Sequence, residues 1–333
     1  MSVLKRRGLV LGGGVALAAA LIETRHFLRP QRHVTTDGKI RHVRLAWPEA
    51  AYDPIYDLCR KDLFSRFSLD VELADTSSGN MAIDAVRSGR ADAAVAPILD
   101  WIPALYTSRP DQIPAKLVSS VNGGSYRLLV RRSLHLHKVS DLAGKRVGVR
   151  DMEGADRRFI SIKLRRRGMH PTDSVNWIAM PNDDMAGALR TGEIDAVAVH
   201  DPAGWQILQE TKGLTWNMID SMTGAERERV DLALGIASGR LRDDPGLTSS
   251  LILALRAAAK SFPAKRAELA KQMQEDDNAP SDPRGMLDRQ IGGHVVIGHD
   301  LRVQIEQYID ELKLIGIMRD SDNTTQIAHM LSA

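Results

Sequence analysis

The residues of this sequence that could do chemistry stand directly after short apolar runs. Arg150 follows residues 147–149, and His200 follows residues 196–199. In open α/β sheets, ligands bind outside the carboxyl ends of the strands, where helix N-termini also offer unpaired N–H groups. Guanidinium, imidazole, hydroxyl and carboxylate groups collected there would hold a small polar solute by hydrogen bonds and ion pairs. The candidate ligand-binding residues are Trp47, Ser77, Ser78, Gly79, Pro97, Asn122, Gly124, Arg150, Glu153, His200 and Asp201.

The candidates in the first half also have structural interpretations. Trp47 could be buried packing, or its ring could stack on a ligand. Ser77 and Ser78 could bind a solute or simply cap the helix that follows them. Residues 122–124 could form a hinge or a turn. The sequence leaves these alternatives open.

The candidate residues in the second half also have both a structural and a ligand-binding interpretation. Arg150 could pair with Asp151 or Asp156 at the surface, where an ion pair contributes little to stability. His200 could be structural, and Asp201, which precedes a proline, could be a turn residue. Each of these side chains could instead face a ligand.

Patterns typical of catalysis or metal binding are not found in the sequence. No G-x-S-x-G elbow accompanies its serine, histidine and aspartate residues. His294, His299 and Asp300 do not have a standard zinc spacing. Cys59 is the one cysteine, which excludes an internal disulfide and is typical of a small buried residue in a helix. The sequence therefore predicts a protein that is not an enzyme and has no cofactor or metal.

A repeated phrase indicates how the chain positions these residues. Residues 85–95 read AVRSGRADAAV, and residues 188–198 read ALRTGEIDAVA. Gly89 and Gly192 are placed to end a helix, because glycine enters the left-handed C′ conformation without steric cost. An aspartate and a run of small apolar residues, typical of a strand buried on both faces, follow each glycine. The spacing of the copies is about the size of a small domain, so two α/β halves are predicted.

The rest of the chain alternates strands and helices as right-handed βαβ units do. Strands are predicted at residues 43–47, 69–73, 93–96, 115–121, 126–131 and 175–178, and helices at residues 53–67 and 155–168. Residues 247–262, 265–276 and 301–315 carry apolar residues at helical spacing. These three segments are expected to wrap the first half, which would make that half discontinuous.

The N-terminus has the layout of an export signal. Lys5, Arg6 and Arg7 precede an uncharged apolar stretch that ends at residue 22 and is short for a membrane span. Residues 1–22 are interpreted as a signal peptide, with a weak twin-arginine resemblance, or as an N-terminal anchor, and residues 23–38 as a tether. The three basic residues account for the formal net charge of +3, so a nucleic-acid partner is not indicated.

Several segments resemble one family of binding proteins. Residues 140–149, SDLAGKRVGV, are similar to that family's DLKGKKIGV segment, and residues 308–316, YIDELKLIG, resemble its C-terminal helix. The two repeated phrases and the loop at residues 77–79 also fit. Over residues 41–318 the chain resembles the periplasmic solute-binding proteins of ABC importers, in the branch that handles nitrate, sulfonates, taurine and pyrimidine precursors.

The resemblance implies an α/β, two-lobed periplasmic binding protein fold of type II, in which each lobe is a mostly parallel sheet flanked by helices. Residues 39–125 and 214–333 would form lobe 1 and residues 126–213 lobe 2, with crossovers near residues 125–127 and 211–214. Such a protein would be a periplasmic monomer that closes on a small polar solute and delivers it to an ABC permease and its ATPase subunit. The alternatives are a membrane-tethered sensor of the same fold and an enzyme related to pyrimidine-precursor synthases, whose cysteine-rich motif this chain lacks.

The chain departs from the family's pattern at residues 150–156. Many relatives have Gly-Ser or Gly-Thr there, with a hydroxyl that helps to hold an oxyanion, whereas this chain reads RDMEGAD, with three carboxylates and no hydroxyl. A solute held as an anion from both lobes is therefore not expected. If Asp151, Glu153 or Asp201 faces the cleft, a solute with a cationic or amine group is favoured.

Overall fold

The structure, a computed structural model, describes residues 38–48, 53–108, 112–275, 279–290 and 295–333. The predicted signal peptide or anchor, the tether before Gly38, and His294 lie outside these residues. Within them the chain forms two five-stranded sheets, each at the centre of one lobe. The predicted two-lobed α/β architecture is confirmed.

The sheet of lobe 1 contains β1 (Arg41–Ala46), β2 (Leu69–Ala74), β3 (Ala93–Pro97), β4 (Ala115–Gly123) and β10 (Val230–Ala237). The strand order is β2-β1-β3-β10-β4. The first three strands are parallel, and β10 runs antiparallel to both β3 and β4. The sheet is therefore mixed, with every strand except β10 pointing in one direction.

The sheet of lobe 2 contains β5 (Tyr126–Arg131), β6 (Arg146–Val149), β7 (Asn176–Ala179), β8 (Ala196–His200) and β9 (Thr215–Asp220). The strand order is β7-β6-β8-β5-β9. Here β5 is the reversed strand, since it runs antiparallel to both β8 and β9. The two lobes thus have sheets of the same design.

Helices cover the faces of both sheets. They are α1 (Pro54–Leu58), continuing through a π-helical turn (Cys59–Leu63) into α2 (Phe64–Arg66), α3 (Gly79–Arg87), α4 (Ile98–Tyr106), α5 (Ala155–Arg165), α6 (Pro171–Ser174), α7 (Asn182–Thr191), α8 (Ala203–Glu210), α9 (Ser238–Asp243), α10 (Pro245–Met273), α11 (Pro283–Arg289), α12 (Gly298–Leu314) and α13 (Thr324–Leu331). Short 3-10 turns lie at Arg132–Leu134, Val139–Leu142 and Gly224–Glu228. In the part of the chain that the structure describes, no helix combines the length and apolarity needed to cross a membrane.

The repeated phrase performs the same structural task in each lobe. Its two glycines follow the ends of α3 and α7 with φ of +75° and +77°. Asp92 then accepts a hydrogen bond from the backbone N–H of Arg44 in β1 at 2.8 Å, and Asp195 accepts one from that of Arg146 in β6 at 2.9 Å. Each aspartate also pairs with the guanidinium of that arginine. The aspartate therefore ties the start of a central strand to its neighbour, and each lobe has its own copy.

The second crossover lies later in the chain than predicted. The sequence places it near residues 211–214, but β9 pairs with β5 in the sheet of lobe 2. Lobe 2 therefore extends to Asp220, and residues 221–229 form the crossover. The segment TWNMID is a half-buried edge strand without an apolar run, so its pattern did not indicate a strand. The first crossover, between β4 and β5, lies at residues 124–125.

The helix α10 is continuous where the sequence predicts two helices. Pro263 lies inside it, between the two predicted segments. Together with α11, α12 and α13, this helix packs mainly on lobe 1. Lobe 1 is therefore built from both ends of the described chain.

Gly235 of β10 leaves room for the buried indole of Trp101. A Cβ at this position would lie 2.5 Å from Cζ2 of Trp101, whose Nε1 donates to the Ala233 carbonyl. We expect Gly235→Ala to lower the free energy of unfolding by about 1–3 kcal/mol, because the side chain overpacks the core. Urea denaturation followed by circular dichroism measures the change. Gly239→Ala is the control, since its Cβ would meet nothing within 4 Å, and an equal loss there would contradict the steric explanation.

Candidate functional site

A cleft between the lobes collects the carboxyl ends of several strands. Its cavity volume is about 100 Å³, whereas one water molecule takes roughly 10–15 Å³ on this measure. The cleft therefore has room for a solute of several non-hydrogen atoms. Nine of the eleven predicted site residues line it: Trp47, Ser77, Ser78, Gly79, Pro97, Asn122, Arg150, His200 and Asp201. Their role in ligand binding stays a prediction.

The other two predicted residues lie outside the cleft lining. The side chain of Glu153 is 69% exposed and lies 3.8 Å from the guanidinium groups of Arg157 and Arg158. Gly124 lies in the first crossover with φ of +61°, where a Cβ would come within 2.7 Å of the Ser221 carbonyl oxygen. Gly124 therefore lets the two crossovers approach each other closely.

Trp47 belongs to the core as well as to the cleft. Its residue is 3% exposed, and its ring meets that of Tyr56 edge-on at 5.3 Å. Its Nε1 donates to Oδ2 of Asp53 at 3.2 Å, while Oδ1 of Asp53 accepts the backbone N–H of Ile55 and caps α1. The packing interpretation therefore holds for most of the ring, and only a small part of it faces the cavity.

The loop before α3 brings its backbone close to the start of α4, in the same lobe. Ser78 caps α3, since its Oγ accepts the N–H of Met81 at 3.3 Å. A Cβ on Gly79 would lie 2.6 Å from Cδ of Pro97 and 2.9 Å from Oδ2 of Asp100. Glycine at this position therefore lets the first turns of α3 and α4 meet at the cavity wall.

His200 and Asp201, at the end of β8, have charged partners. Nδ1 of His200 lies 2.9 Å from Oδ1 of Asp156. The Asp201 carboxylate accepts two hydrogen bonds from Arg127, from Nε at 2.6 Å and from Nη2 at 2.7 Å. Both side chains of this pair are at most 1% exposed. Asp201 is therefore half of a buried ion pair at the edge of the cavity.

Two hydrogen bonds join the lobes at the cleft. Nη2 of Arg150 in lobe 2 donates to the backbone carbonyl of Ser77 in lobe 1 at 2.7 Å. Nδ2 of Asn80 in lobe 1 donates to Oδ2 of Asp151 in lobe 2 at 2.8 Å. These contacts hold the two lobes together over the cavity.

A buried ion pair also crosses the cleft. Nη1 of Arg158 in α5 lies 2.7 Å from Oδ1 of Asp100 in α4, and the two side chains are 11% and 6% exposed. Burial raises the pKa of Asp100 to about 7, an effect that the Arg158 guanidinium opposes. Neither residue was selected from the sequence. The sequence does contain a pattern that could have identified Asp100 as a site residue. It is an aspartate in the first turn of a helix that follows a central strand, and Asp156 has the same position in α5.

The cleft lining is rich in carboxylates and contains Asp53, Asp100, Asp151, Asp156 and Asp201. Asp151 and Asp201 are two of the three residues on which the expected charge of the solute depended. Both lie in the lining, where the Asp201 carboxylate pairs with Arg127 and Asp151 accepts from Asn80. Within the described ranges, no three histidine, cysteine, aspartate or glutamate side chains are grouped so that they could hold a metal ion.

A model of the NMT1-like family matches residues 48–273, about two thirds of the chain. No curated protein matches the chain in sequence. The family match and the two-lobed fold agree with the resemblance drawn from the sequence.

Solved structures of periplasmic binding proteins share the fold. The aliphatic sulphonate binding protein SsuA from Escherichia coli has 15% sequence identity and a TM-score of 0.69, over 88% of this chain and 92% of that chain. The alkanesulfonate-binding protein SsuA from Xanthomonas axonopodis pv. citri, bound to MOPS, has 16% identity and a TM-score of 0.69, over 88% of this chain and 98% of that chain. The nitrate-binding protein NrtA from Synechocystis has 15% identity and a TM-score of 0.68, over 88% and 86%. These neighbours are binding proteins rather than enzymes.

Proposed function

The chain belongs to the NMT1-like family, and on this premise we propose that it is the extracytoplasmic solute-binding component of an ABC import system. It captures a small polar solute between its lobes and delivers it to a membrane permease and the attached ATPase subunit. The observation that carries this proposal is the cavity whose walls come from both lobes and include several charged side chains. A binding role needs no chemical step, and the proposal includes none.

Closure of the lobes couples binding to delivery. The two crossovers, at residues 124–125 and 221–229, are the segments that a hinge motion would bend. A solute favours the closed state only by the extra contacts that it makes there with the second lobe. The interlobe bonds from Arg150, Asn80 and Arg158 add to those contacts. A permease that separates the lobes would remove both sets of contacts together and release the solute.

We place the solute in the small polar class that includes nitrate, sulfonates and taurine, and the protein in the periplasm as a monomer. The basic and apolar segments of residues 1–22 support export. If this segment is retained, the protein is a membrane-tethered member of the same fold, either a carrier or a sensor. Sequencing the N-terminus of the exported protein distinguishes a cleaved signal from an anchor.

The experiment that tests the carrier role is a thermal-shift and calorimetry screen of the full chain. The panel contains nitrate, bicarbonate, taurine, alkanesulfonates, aromatic sulfonates and pyrimidine precursors. A solute that binds only the folded state at 100 times its Kd stabilises it by about 2.7 kcal/mol. We expect one chemical class to raise the melting midpoint, to bind one molecule per chain and to be recovered unchanged. A folded protein that binds nothing in the panel, or that converts a solute, would contradict the proposal.

Asn122 offers a site variant that spares the fold. It lines the cleft, and its Oδ1 is buried without a hydrogen-bond partner among the described residues. We expect Asn122→Ala to weaken the affinity for the solute found above by about tenfold, because a polar contact worth about 1–1.5 kcal/mol is lost. Asn217 of β9, whose amide atoms are also buried without partners and which lies outside the cleft lining, is the matched control. Equal losses of affinity in both variants would place the solute elsewhere.

A further inference from the structure

Aspartates stand at the N-termini of the helices that begin at the cleft. Asp53 caps α1, Asp100 is the third residue of α4, and Asp156 is the second residue of α5. Asp201 precedes α8, and its Oδ1 lies 3.1 Å from where a Cβ on Gly204 would be. A helix N-terminus attracts negative charge, and anion-binding proteins leave this position to the ligand. Here the chain's own carboxylates occupy it, which disfavours a solute bound as a simple anion.

Positive side chains offset only part of this charge. As far as the structure describes it, the cleft lining contains five aspartates but a single arginine, Arg150. Asp100 and Asp201 have arginine partners, whereas the side chains that contact Asp151 and Asp156 are an asparagine and a histidine. An excess of negative charge therefore surrounds a cavity that is partly shielded from water, where opposite charges attract more strongly than in bulk solvent.

Two acceptor oxygens in the lining accept no hydrogen bond from any residue that the structure describes. The Asp100 carboxylate is 6% exposed and uses Oδ1 for Arg158, while its Oδ2 accepts no hydrogen bond from any residue that the structure describes. Oδ1 of Asn122 is buried and equally without a described partner. Leaving the buried Asn122 oxygen without a donor costs about 1–3 kcal/mol. Both oxygens are therefore places where a bound solute can donate.

The acceptor residues Asn122 and Asp100 lie near each other at one edge of the lobe 1 sheet. Asn122 of β4 and Pro97 of β3 are both in register with Leu232 of β10, which lies between them. Their backbones are thus roughly 10 Å apart, two strand spacings. Asp100 follows Pro97 in the first turn of α4. Both side chains can therefore reach one small solute in the cavity.

We propose that the solute carries a protonated amine, which Asp100 and Asn122 hold by accepting its hydrogen bonds. An ammonium group has three donors and no acceptor, so it satisfies both oxygens and offsets the excess negative charge. This inference rests on the proposed function, since it concerns the same cleft. It narrows the solute to amine-bearing compounds, with or without an anionic group elsewhere in the molecule.

The proposal has a consequence for the pH dependence of binding. Burial raises the pKa of Asp100 to about 7; among the groups that face it, Arg158 and His200 lower this pKa, and Asp156 and Asp151 raise it. An ammonium group binds the ionised carboxylate better than the protonated one. Affinity for an amine is therefore expected to rise as the pH increases from about 6 to about 8, over the range in which Asp100 loses its proton.

Calorimetry with matched pairs of compounds tests the proposal. The pairs are taurine with ethanesulfonate, γ-aminobutyrate with butyrate, and putrescine with the corresponding butanediol. At least one amine is expected to bind one molecule per chain, about tenfold or more tighter than its partner. A partner without the amine that binds as tightly would overturn the inference and leave the proposed carrier role standing. If no member of any pair binds, the inference is rejected, and the broader panel decides the carrier role by itself.

Two substitutions with opposite expected effects complete the test. Asn122→Asp adds a negative charge beside the amine, so amine affinity should rise severalfold while that of an anionic partner falls. Asp100→Asn should lower amine affinity about tenfold and abolish its rise with pH. Asp84→Asn, at a 65% exposed side chain of α3, is the matched control and should change neither. Unchanged or lower amine affinity in Asn122→Asp would overturn the inference even if Asp100→Asn proves unstable.

Discussion

Arg127→Met is expected to lower the free energy of unfolding by about 3–5 kcal/mol, because it leaves a carboxylate buried without its counter-ion. Arg127 is fully buried and gives two hydrogen bonds to Asp201, and its Nη1 lies 3.3 Å from Asp220. Its guanidinium also stacks on the ring of Trp205 with a 5.6 Å distance to the centroid. The variant therefore loses an ion pair in the interior of lobe 2 and the packing that surrounds it.

Urea denaturation of the variant measures this loss. The double variant Arg127→Met with Asp201→Leu is expected to recover much of it, since removing both charges of a buried pair is far less costly than removing one. Arg66→Met is the control, because Arg66 and its partner Asp62 are 51% and 63% exposed. We expect it to change stability by at most about 1 kcal/mol. A loss below that level in Arg127→Met would show that Asp201 finds water or another partner.

Arg158→Met is expected to open the lobes of the solute-free protein. Its guanidinium donates to Oδ1 of Asp100 and to the carbonyl oxygen of Leu99, both in lobe 1, while Arg158 itself lies in lobe 2. Hydrogen bonds to charged groups are worth about 1.5–3 kcal/mol each. Loss of these bonds should therefore shift the closed–open equilibrium by at least tenfold, which corresponds to about 1.4 kcal/mol.

Small-angle X-ray scattering measures the opening as an increase in the radius of gyration. Arg157→Met is a matched control from the preceding position of the same helix, because Arg157 contacts the Met152 carbonyl and the ring of Trp177 within lobe 2. The control should leave the scattering unchanged. A double-mutant cycle with Asp100→Asn should give a coupling energy of the same size as the shift. An unchanged radius of gyration in Arg158→Met would mean that the other interlobe contacts, among them those of Arg150, Asn80 and Arg166, suffice to hold the lobes together.

Local spacing in the sequence determined the building unit of this protein. The helix, glycine, aspartate and apolar strand of residues 85–95 and 188–198 form one unit in each lobe, because each step depends on neighbours a few residues away. The order of strands and helices then implied that residues such as His200 and Asn122 reach the same edge of their sheets. Nine cleft-lining residues could be predicted for that reason. The edge strand β9 could not be predicted from the sequence, because its half-buried residues carry no apolar pattern.

Only the tertiary structure decided which side chains meet and where the charge lies. Arg158 and Asp100 are 58 positions apart in the chain, and Arg127 and Asp201 are 74 apart. The first pairing depends on how the two lobes face each other, and the second on how β5 and β8 pair within lobe 2. No spacing rule contains that information. Glu153 and Asp151 illustrate the point, since they stand two positions apart and yet one is 69% exposed and the other lines the cavity. The direction of a side chain from a loop depends on what packs against it, so the acidic character of the cleft became visible only when both lobes were in place.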